Sequence, residues 1–236
     1  MAKSNGDFRK TKSGIPGLDE LIKGGLPARS LVLVAGGTGT GKTLLSLQFL
    51  YNGATKFNEP GVYLSLEQDP KRLIELGKRF GWDFESLIAK KKLLMISPSV
   101  YKFDTMKKAI TDAINEIGAK RFVLDSYTIV STFFESNTDL RRSLLLLGRH
   151  LQTLDCVTLA ISDVREGEAA YSVSGFEEFA ADGIISLSLA ADLKRNLFTR
   201  SLLVRKMRYT DHSLKRVPFK ITNNGLIIYP EAELFE

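Results

Sequence analysis

The chain has one cysteine in 236 residues, Cys156, so no disulfide can form within it. That thiol lies beside the apolar run Val157-Thr158-Leu159-Ala160-Ile161, where a buried, inert group is expected rather than a nucleophile. No apolar run approaches the ~20 residues needed to cross a bilayer. No signal peptide opens the sequence, and a cytoplasmic protein without a membrane partner is expected. Internal repeats, linkers and low-complexity tracts are lacking too, which excludes a repeat array and leaves one large domain over residues 13–236 as the expected organisation. Residues 1–12 are polar and basic and read as a flexible arm.

What is present is ordinary for a chain with a full core: 44% hydrophobic and 25% charged residues. The net charge of +6 invites a nucleic-acid partner, but weakly. Outside the tail Lys3 to Lys12, Lys90-Lys91-Lys92 and the stretch Lys194 to Arg216, the positive charge is thinly spread, and such runs are usually solvated faces.

Apolar runs alternate with helical segments, the pattern of a mostly parallel sheet flanked by helices. Strands are expected at Leu31–Ala35, Val62–Leu66, Leu93–Ile96, Phe122–Leu124 and Val157–Ser162. Helices are expected at Thr43–Lys56, Pro70–Phe80, Phe103–Ile117 and Asp139–Leu154, with Asp69-Pro70 a good helix start. After Gly183 the texture changes to short strands, Ile184–Leu189, Leu202–Arg205, Phe219–Ile221 and Leu226–Tyr229, a C-terminal β extension. Asn223-Asn224-Gly225 is a hairpin signal between the last two.

Between the first strand and first helix lies Gly36-Gly37-Thr38-Gly39-Thr40-Gly41-Lys42-Thr43, which fits G-x-x-x-x-G-K-[ST], the phosphate-binding P-loop. Glycines let successive N–H groups face one anion, and the helix N-terminus adds to that field. The candidate nucleotide contacts here are Gly37, Thr38, Gly39, Thr40, Gly41, Lys42, Thr43 and Leu44. Lys42 can reach the β- and γ-phosphates of ATP, and the Thr43 hydroxyl can ligate Mg²⁺. A second acidic group is needed at the end of a neighbouring strand. Arg121-Phe122-Val123-Leu124-Asp125 supplies it, making Asp125 the second candidate magnesium residue. Val62-Tyr63-Leu64-Ser65-Leu66-Glu67 ends in a carboxylate that can orient an attacking water.

Several further segments carry a resemblance. Ser13-Gly14-Ile15-Pro16-Gly17-Leu18-Asp19-Glu20-Leu21, Arg79-Phe80-Gly81-Trp82-Asp83, Ser174 to Asp182, Val204 to His212 and Pro218 to Gly225 together resemble the KaiC-like ATPases of the RecA/RadA superfamily. The similarity covers roughly residues 12–230. It implies a RecA-like P-loop NTPase fold and a homo-oligomeric ring, usually a hexamer, with ATP between subunits. It also implies a Lys-x-Arg-x-x-x-His segment reaching the neighbour's nucleotide, here Lys206, Arg208 and His212, with Met207 and Thr210 between them. Lys206 and Arg208 would then join Lys42 and Glu67 as catalytic groups. Arg79 is carried over as a cofactor contact, and Thr222 and Asn223 match positions near the nucleobase across the interface. Where the family often has a Glu-Glu pair, this chain has Glu67-Gln68, so hydrolysis is expected to be slow.

A regulatory or signalling ATPase is the main expectation. A DNA-binding recombinase-like ATPase is the first alternative. Against it, the segment Asp163 to Glu178 is acidic, and Phe133 and Phe134 suit core packing better than base stacking. A P-loop kinase is the second alternative.

Overall fold

In chain order the elements are β1 (Lys10–Thr11), α1 (Leu18–Leu21), β2 (Leu26–Pro27), β3 (Leu31–Gly36), α2 (Lys42–Lys56) and β4 (Gly61–Ser65). Then follow α3 (Pro70–Lys78), α4 (Phe84–Ala89), β5 (Leu93–Ile96), α5 (Phe103–Ile117), β6 (Arg121–Asp125), a 3₁₀ turn (Thr128–Phe133) and α6 (Asn137–Thr153). The last are β7 (Val157–Asp163), α7 (Glu177–Ala180), β8 (Gly183–Asp192), β9 (Leu197–Met207), β10 (Val217–Thr222) and β11 (Gly225–Ile228). The computed structural model describes residues 9–98, 102–165, 171–192 and 197–232.

Nine strands form one sheet in the order β11-β10-β9-β8-β3-β7-β6-β4-β5. From β8 to β5 every neighbouring pair is parallel, and β9, β10 and β11 continue the sheet antiparallel. Each central strand alternates its side chains between two buried faces. Val32, Val34, Tyr63, Val123 and Leu159 pack with α2, α3 and α4 on one side. Leu31, Leu33, Val62, Phe122 and Ala160 pack with α5 and α6 on the other. Burial on both faces explains why these strands read as unbroken apolar runs.

The connections decide where a ligand can sit. Helices α2, α3 and α4, which follow β3 and β4, lie on one face, whereas α5 and α6, which precede and follow β6, lie on the opposite one. The chain after β7 packs on the α5–α6 face through Phe176 and Ala181, so neighbours β3 and β7, like neighbours β6 and β4, send their chains to opposite faces and leave an open crevice beyond their carboxyl ends.

The cap residues fix the helix starts. Asp69 accepts from Lys71 N–H with Pro70 at the first helical position, and Asp83 accepts from Ser86 N–H. Ser136 accepts from Asp139 N–H, so α6 begins at Asn137, two residues before the expected Asp139. The expected arm needs a correction at its inner end: Lys10–Thr11 pair with Leu26–Pro27, and residues 1–8 lie outside the described residues. The strand expected at Leu202–Arg205 lies within an eleven-residue strand whose outer part is held in a ladder with β8 as far as Asp192–Leu197. The Asn223-Asn224 turn joins β10 to β11 as expected, with Gly225 at φ 117. Cys156 is buried, and burial pushes its thiol up to about 11, which makes it inert.

Candidate functional site

The P-loop leaves β3 at Gly36, where no larger residue fits. A Cβ there would lie 2.5 Å from the Leu187 carbonyl oxygen and 2.8 Å from Thr40 Oγ1. Gly39 and Gly41 have φ of 78° and 106°, the left-handed region that glycine tolerates. Nothing lies within 4 Å of the position a Gly39 Cβ would take, so the loop is an open cradle of backbone. Thr40 Oγ1 donates to Gly37 O at 2.8 Å and closes the loop on itself. Gly37, Thr38 and Gly39 line its solvent side. Helix α2 starts at Lys42 and its first internal bond runs from Leu45 N–H to Gly41 O. The amides ahead of that bond are the ones a helix leaves for an anion, so this cradle fits a polyphosphate. Leu44 is buried below it.

Lys42 is buried, and its ammonium donates to Gly36 O at 2.8 Å and Gly37 O at 2.9 Å. It also pairs with Asp163 Oδ1 at 3.1 Å, bridging the β3–β7 crevice. The β6–β4 crevice is bridged in the same way: Ser126 Oγ donates to Glu67 Oε1 at 2.5 Å. Tyr63, one strand over from Asp125, donates its hydroxyl to Asp125 Oδ2 and has the Thr43 side chain nearby. Two hydroxyls, those of Thr43 and Tyr63, and the Asp125 carboxylate thus lie in one neighbourhood. The two hard oxygen ligands expected for Mg²⁺, the Thr43 hydroxyl and the Asp125 carboxylate, are brought together, so the donor set fits that ion. Burial pushes the Asp125 carboxyl up to about 6 against the Tyr63 hydrogen bond, with the Glu67 and Asp163 charges adding and Lys42 opposing. Burial also raises the Tyr63 hydroxyl well above its ordinary value.

The second group of expected residues lies elsewhere. Met207 pairs with Gly183, and Gly183 with Val32, whereas the P-loop begins at Gly36. Four residues of strand, about 13 Å at ~3.3 Å per residue, separate those levels. Lys206, Met207 and Arg208 are therefore at the amino-terminal end of β3 and β8, opposite their own P-loop. Met207 is buried, with Lys206 and Arg208 flanking it on the other face. Lys206 Nζ donates to Glu178 O at 3.1 Å and Ala181 O at 2.6 Å, and burial, with Arg208 nearby, lowers the pKa of its ammonium. Arg208 Nη1 pairs with the buried Asp182 at 3.4 Å. Thr210 Oγ1 donates to Ile22 O at 3.4 Å, and His212 Nδ1 lies 3.1 Å from Ser213 O.

The hairpin holding Thr222 and Asn223 is at the P-loop end. Ile221 and Phe219 of β10 lie beside Gly41, and Gln48 of α2 exchanges two hydrogen bonds with Leu226 of β11. Within this chain Thr222 and Asn223 therefore stand on the side of their own P-loop. Arg79 is exposed at the end of α3, before Trp82, which packs on Gly225 of the same hairpin. Phe133 and Phe134 pack against the core, Phe134 edge-on to Phe103 at 5.5 Å, which is the packing role expected of them.

Sequence reasoning missed three residues of the site. Tyr63 and Ser126 act through partners on a neighbouring strand, which the sequence does not reveal. Asp163 had a signal: like Glu67 and Asp125, it is a carboxylate at the end of a core strand, but the preceding serine made it read as part of an acidic loop.

A family model described as "ATPase: KaiC" matches residues 11–233. A UPF0273 protein of Methanocaldococcus jannaschii is 39% identical over 244 residues, covering 96% of this chain and 99% of that one. The circadian clock oscillator protein KaiC of Synechococcus elongatus is 34% identical over 231 residues, which cover 94% of this chain but 44% of the clock protein. The crystal structure of a KaiC-like protein from Pyrococcus horikoshii OT3 superposes with a TM-score of 0.86 at 38% identity, covering 94% of this chain and 100% of that one. With the P-loop and its strand-end carboxylates in place, these matches make the chain a member of the KaiC-like P-loop ATPase family.

Proposed function

We propose that the chain is a Mg²⁺-dependent ATPase of regulatory type that works as a homo-oligomeric ring, a hexamer in the simplest case, with ATP held between subunits. The observation that carries this reading is the separation of its two sets of charged groups. Lys42, Glu67 and Asp125 gather at the carboxyl ends of the strands, and Lys206 and Arg208 sit at the opposite end of the same sheet. A lysine or arginine side chain cannot bridge that distance, so the two sets serve one nucleotide only if they come from two copies.

In this scheme the P-loop amides and Lys42 hold the β- and γ-phosphates, and Leu44 closes the floor beneath them. Thr43 and Asp125 would hold Mg²⁺, with Tyr63 fixing the position of the Asp125 carboxylate. When bound, that ion neutralises charge on the phosphate oxygens. Glu67, restrained by Ser126, orients the attacking water and accepts its proton. Arg208 and Lys206 of a second copy neutralise charge that develops on the γ-phosphate, the role of a finger supplied in trans. Thr222 and Asn223, carried over as nucleobase contacts across the interface, would instead approach the base from the P-loop side of their own chain.

Light scattering with and without ATP and Mg²⁺, beside a phosphate-release assay with and without single-stranded DNA, tests this reading. Assembly that responds to nucleotide and turnover indifferent to DNA are expected. Turnover by a species that stays monomeric would overturn the ring, and strong stimulation by DNA would favour the recombinase-like alternative.

A further inference from the structure

Asp163 is the site residue whose place is hardest to explain by phosphate binding alone. Its carboxylate rests 3.1 Å from the Lys42 ammonium, a position that the γ-phosphate oxygens also need. With Gly36 O and Gly37 O it completes the three acceptors that an ammonium can serve. The carboxylate is not there by chance of a mobile loop. Asp163 ends β7 in register with Gly36, its N–H donates to Thr128 Oγ1 at 2.9 Å, and the next amide, Val164 N–H, donates to Gly36 O.

Glu67, Asp125 and Asp163 thus crowd this end of the sheet, where the Lys42 ammonium pairs with Asp163 and offsets negative charge at Asp125. Asp125 feels the negative charge of both of the others. A magnesium–ATP complex is itself net negative, and like charges at this range oppose binding. Additional positive charge is required, and this chain holds Lys206 and Arg208 where only another copy's nucleotide can meet them.

We infer that Asp163 is a positioning residue that makes tight ATP binding conditional on assembly. Its carboxylate holds Lys42 in place of the γ-phosphate, and that competition is offset only when a neighbouring copy supplies Lys206 and Arg208. The inference rests on the trans arrangement proposed above. ADP, which lacks the γ-phosphate, escapes most of the competition, so Asp163 also sets the preference between the two nucleotides of an isolated subunit.

The test is the affinity for a fluorescent, non-hydrolysable ATP analogue, measured at protein concentrations below and above the assembly midpoint found by light scattering. Wild type should bind more tightly above the midpoint, and Arg208→Ala should lose that gain. Asp163→Asn should bind the analogue at least about tenfold more tightly than wild type below the midpoint, with ADP affinity changing far less. Asp163→Glu should behave as wild type. If wild type shows no dependence on assembly, the trans reading itself fails. If wild type shows it and Asp163→Asn gains no affinity below the midpoint while still binding ADP, the role of Asp163 is overturned and the trans reading stands. Should Asp163→Asn lose ADP binding as well, Asp163→Ser answers the same question with a smaller side chain.

Discussion

Ser126 Oγ donates to Glu67 Oε1 at 2.5 Å, so the residue after one strand-end acid holds the acid at the end of the next strand. The bond spans the crevice between β6 and β4 and gives Glu67, otherwise exposed, a fixed orientation. Removing the carboxylate should therefore hurt more than loosening it. Glu67→Gln is expected to retain nucleotide binding and lose about 10²–10⁴-fold in turnover, the usual contribution of acid–base assistance. Ser126→Ala should lose roughly fivefold, the effect of about 1 kcal/mol from one hydrogen bond. Single-turnover phosphate release checks both, and equal turnover in Glu67→Gln and wild type would move the water-orienting role to another residue.

Lys42 is enclosed rather than waving over the phosphates, which sharpens what its replacements should do. Lys42→Ala should abolish tight ATP binding. Lys42→Arg should be nearly as damaging, because a planar guanidinium cannot serve Gly36 O, Gly37 O and Asp163 from the space that an ammonium occupies. Equilibrium binding of a labelled ATP analogue measures this, and wild-type affinity in Lys42→Arg would show that the enclosure does not restrict the phosphate contact.

Stability should depend on a residue far from the chemistry. Arg121 opens β6 fully buried, paired with Glu59 at 2.7 Å and donating to Lys12 O, Ser13 O and Phe49 O. Its guanidinium lies over the Phe49 ring at 4.5 Å. Arg121 therefore ties the segment before α1 to α2 and to the central sheet. Arg121→Ala is expected to lower the unfolding free energy by about 3–5 kcal/mol, since it empties a filled site and strands its partners. Glu59→Gln, which keeps a neutral acceptor but removes the countercharge of a buried guanidinium, should lose less, about 1.5–3 kcal/mol. Denaturant titration orders the two variants, and a smaller loss in Arg121→Ala than in Glu59→Gln would contradict this anchoring role.

The parallel core was legible because strands buried on both faces are continuous apolar runs, and Gly36 to Thr43 is a motif tied to one local geometry. Glu67 and Asp125 were legible as carboxylates ending such runs. What joins them was not, because Tyr63–Asp125 and Ser126–Glu67 depend on β4 lying next to β6, and strand order is not written in either segment. The outer part of β9 was missed for a different reason: residues such as Thr199 and Arg200 are held by the ladder with β8 and show no apolar alternation. Lys10–Thr11 read as an arm because two residues carry too little pattern to mark a strand.

The opposed positions of Lys42 and Arg208 lead to a test of the shared site that needs no structure of the assembly. Arg208→Ala alone should be nearly inactive, since every interface would lack one of the two cations proposed to neutralise charge developing on the γ-phosphate. Lys42→Ala alone should be inactive because no P-loop can hold the phosphates. In a mixture of the two variants, some interfaces combine an intact Lys42 from one chain with an intact Arg208 from its neighbour, and those interfaces should turn over. A finger serving its own chain could not be rescued in this way, because each chain would carry a defect in its own site. Fluorescence transfer between differently labelled subunits must first show that the chains exchange. With exchange demonstrated, phosphate release in the mixture above the sum of the two variants supports the trans assignment. Exchange with no recovered turnover would assign Arg208 to its pair with the buried Asp182 and leave the P-loop edge to work within a single subunit.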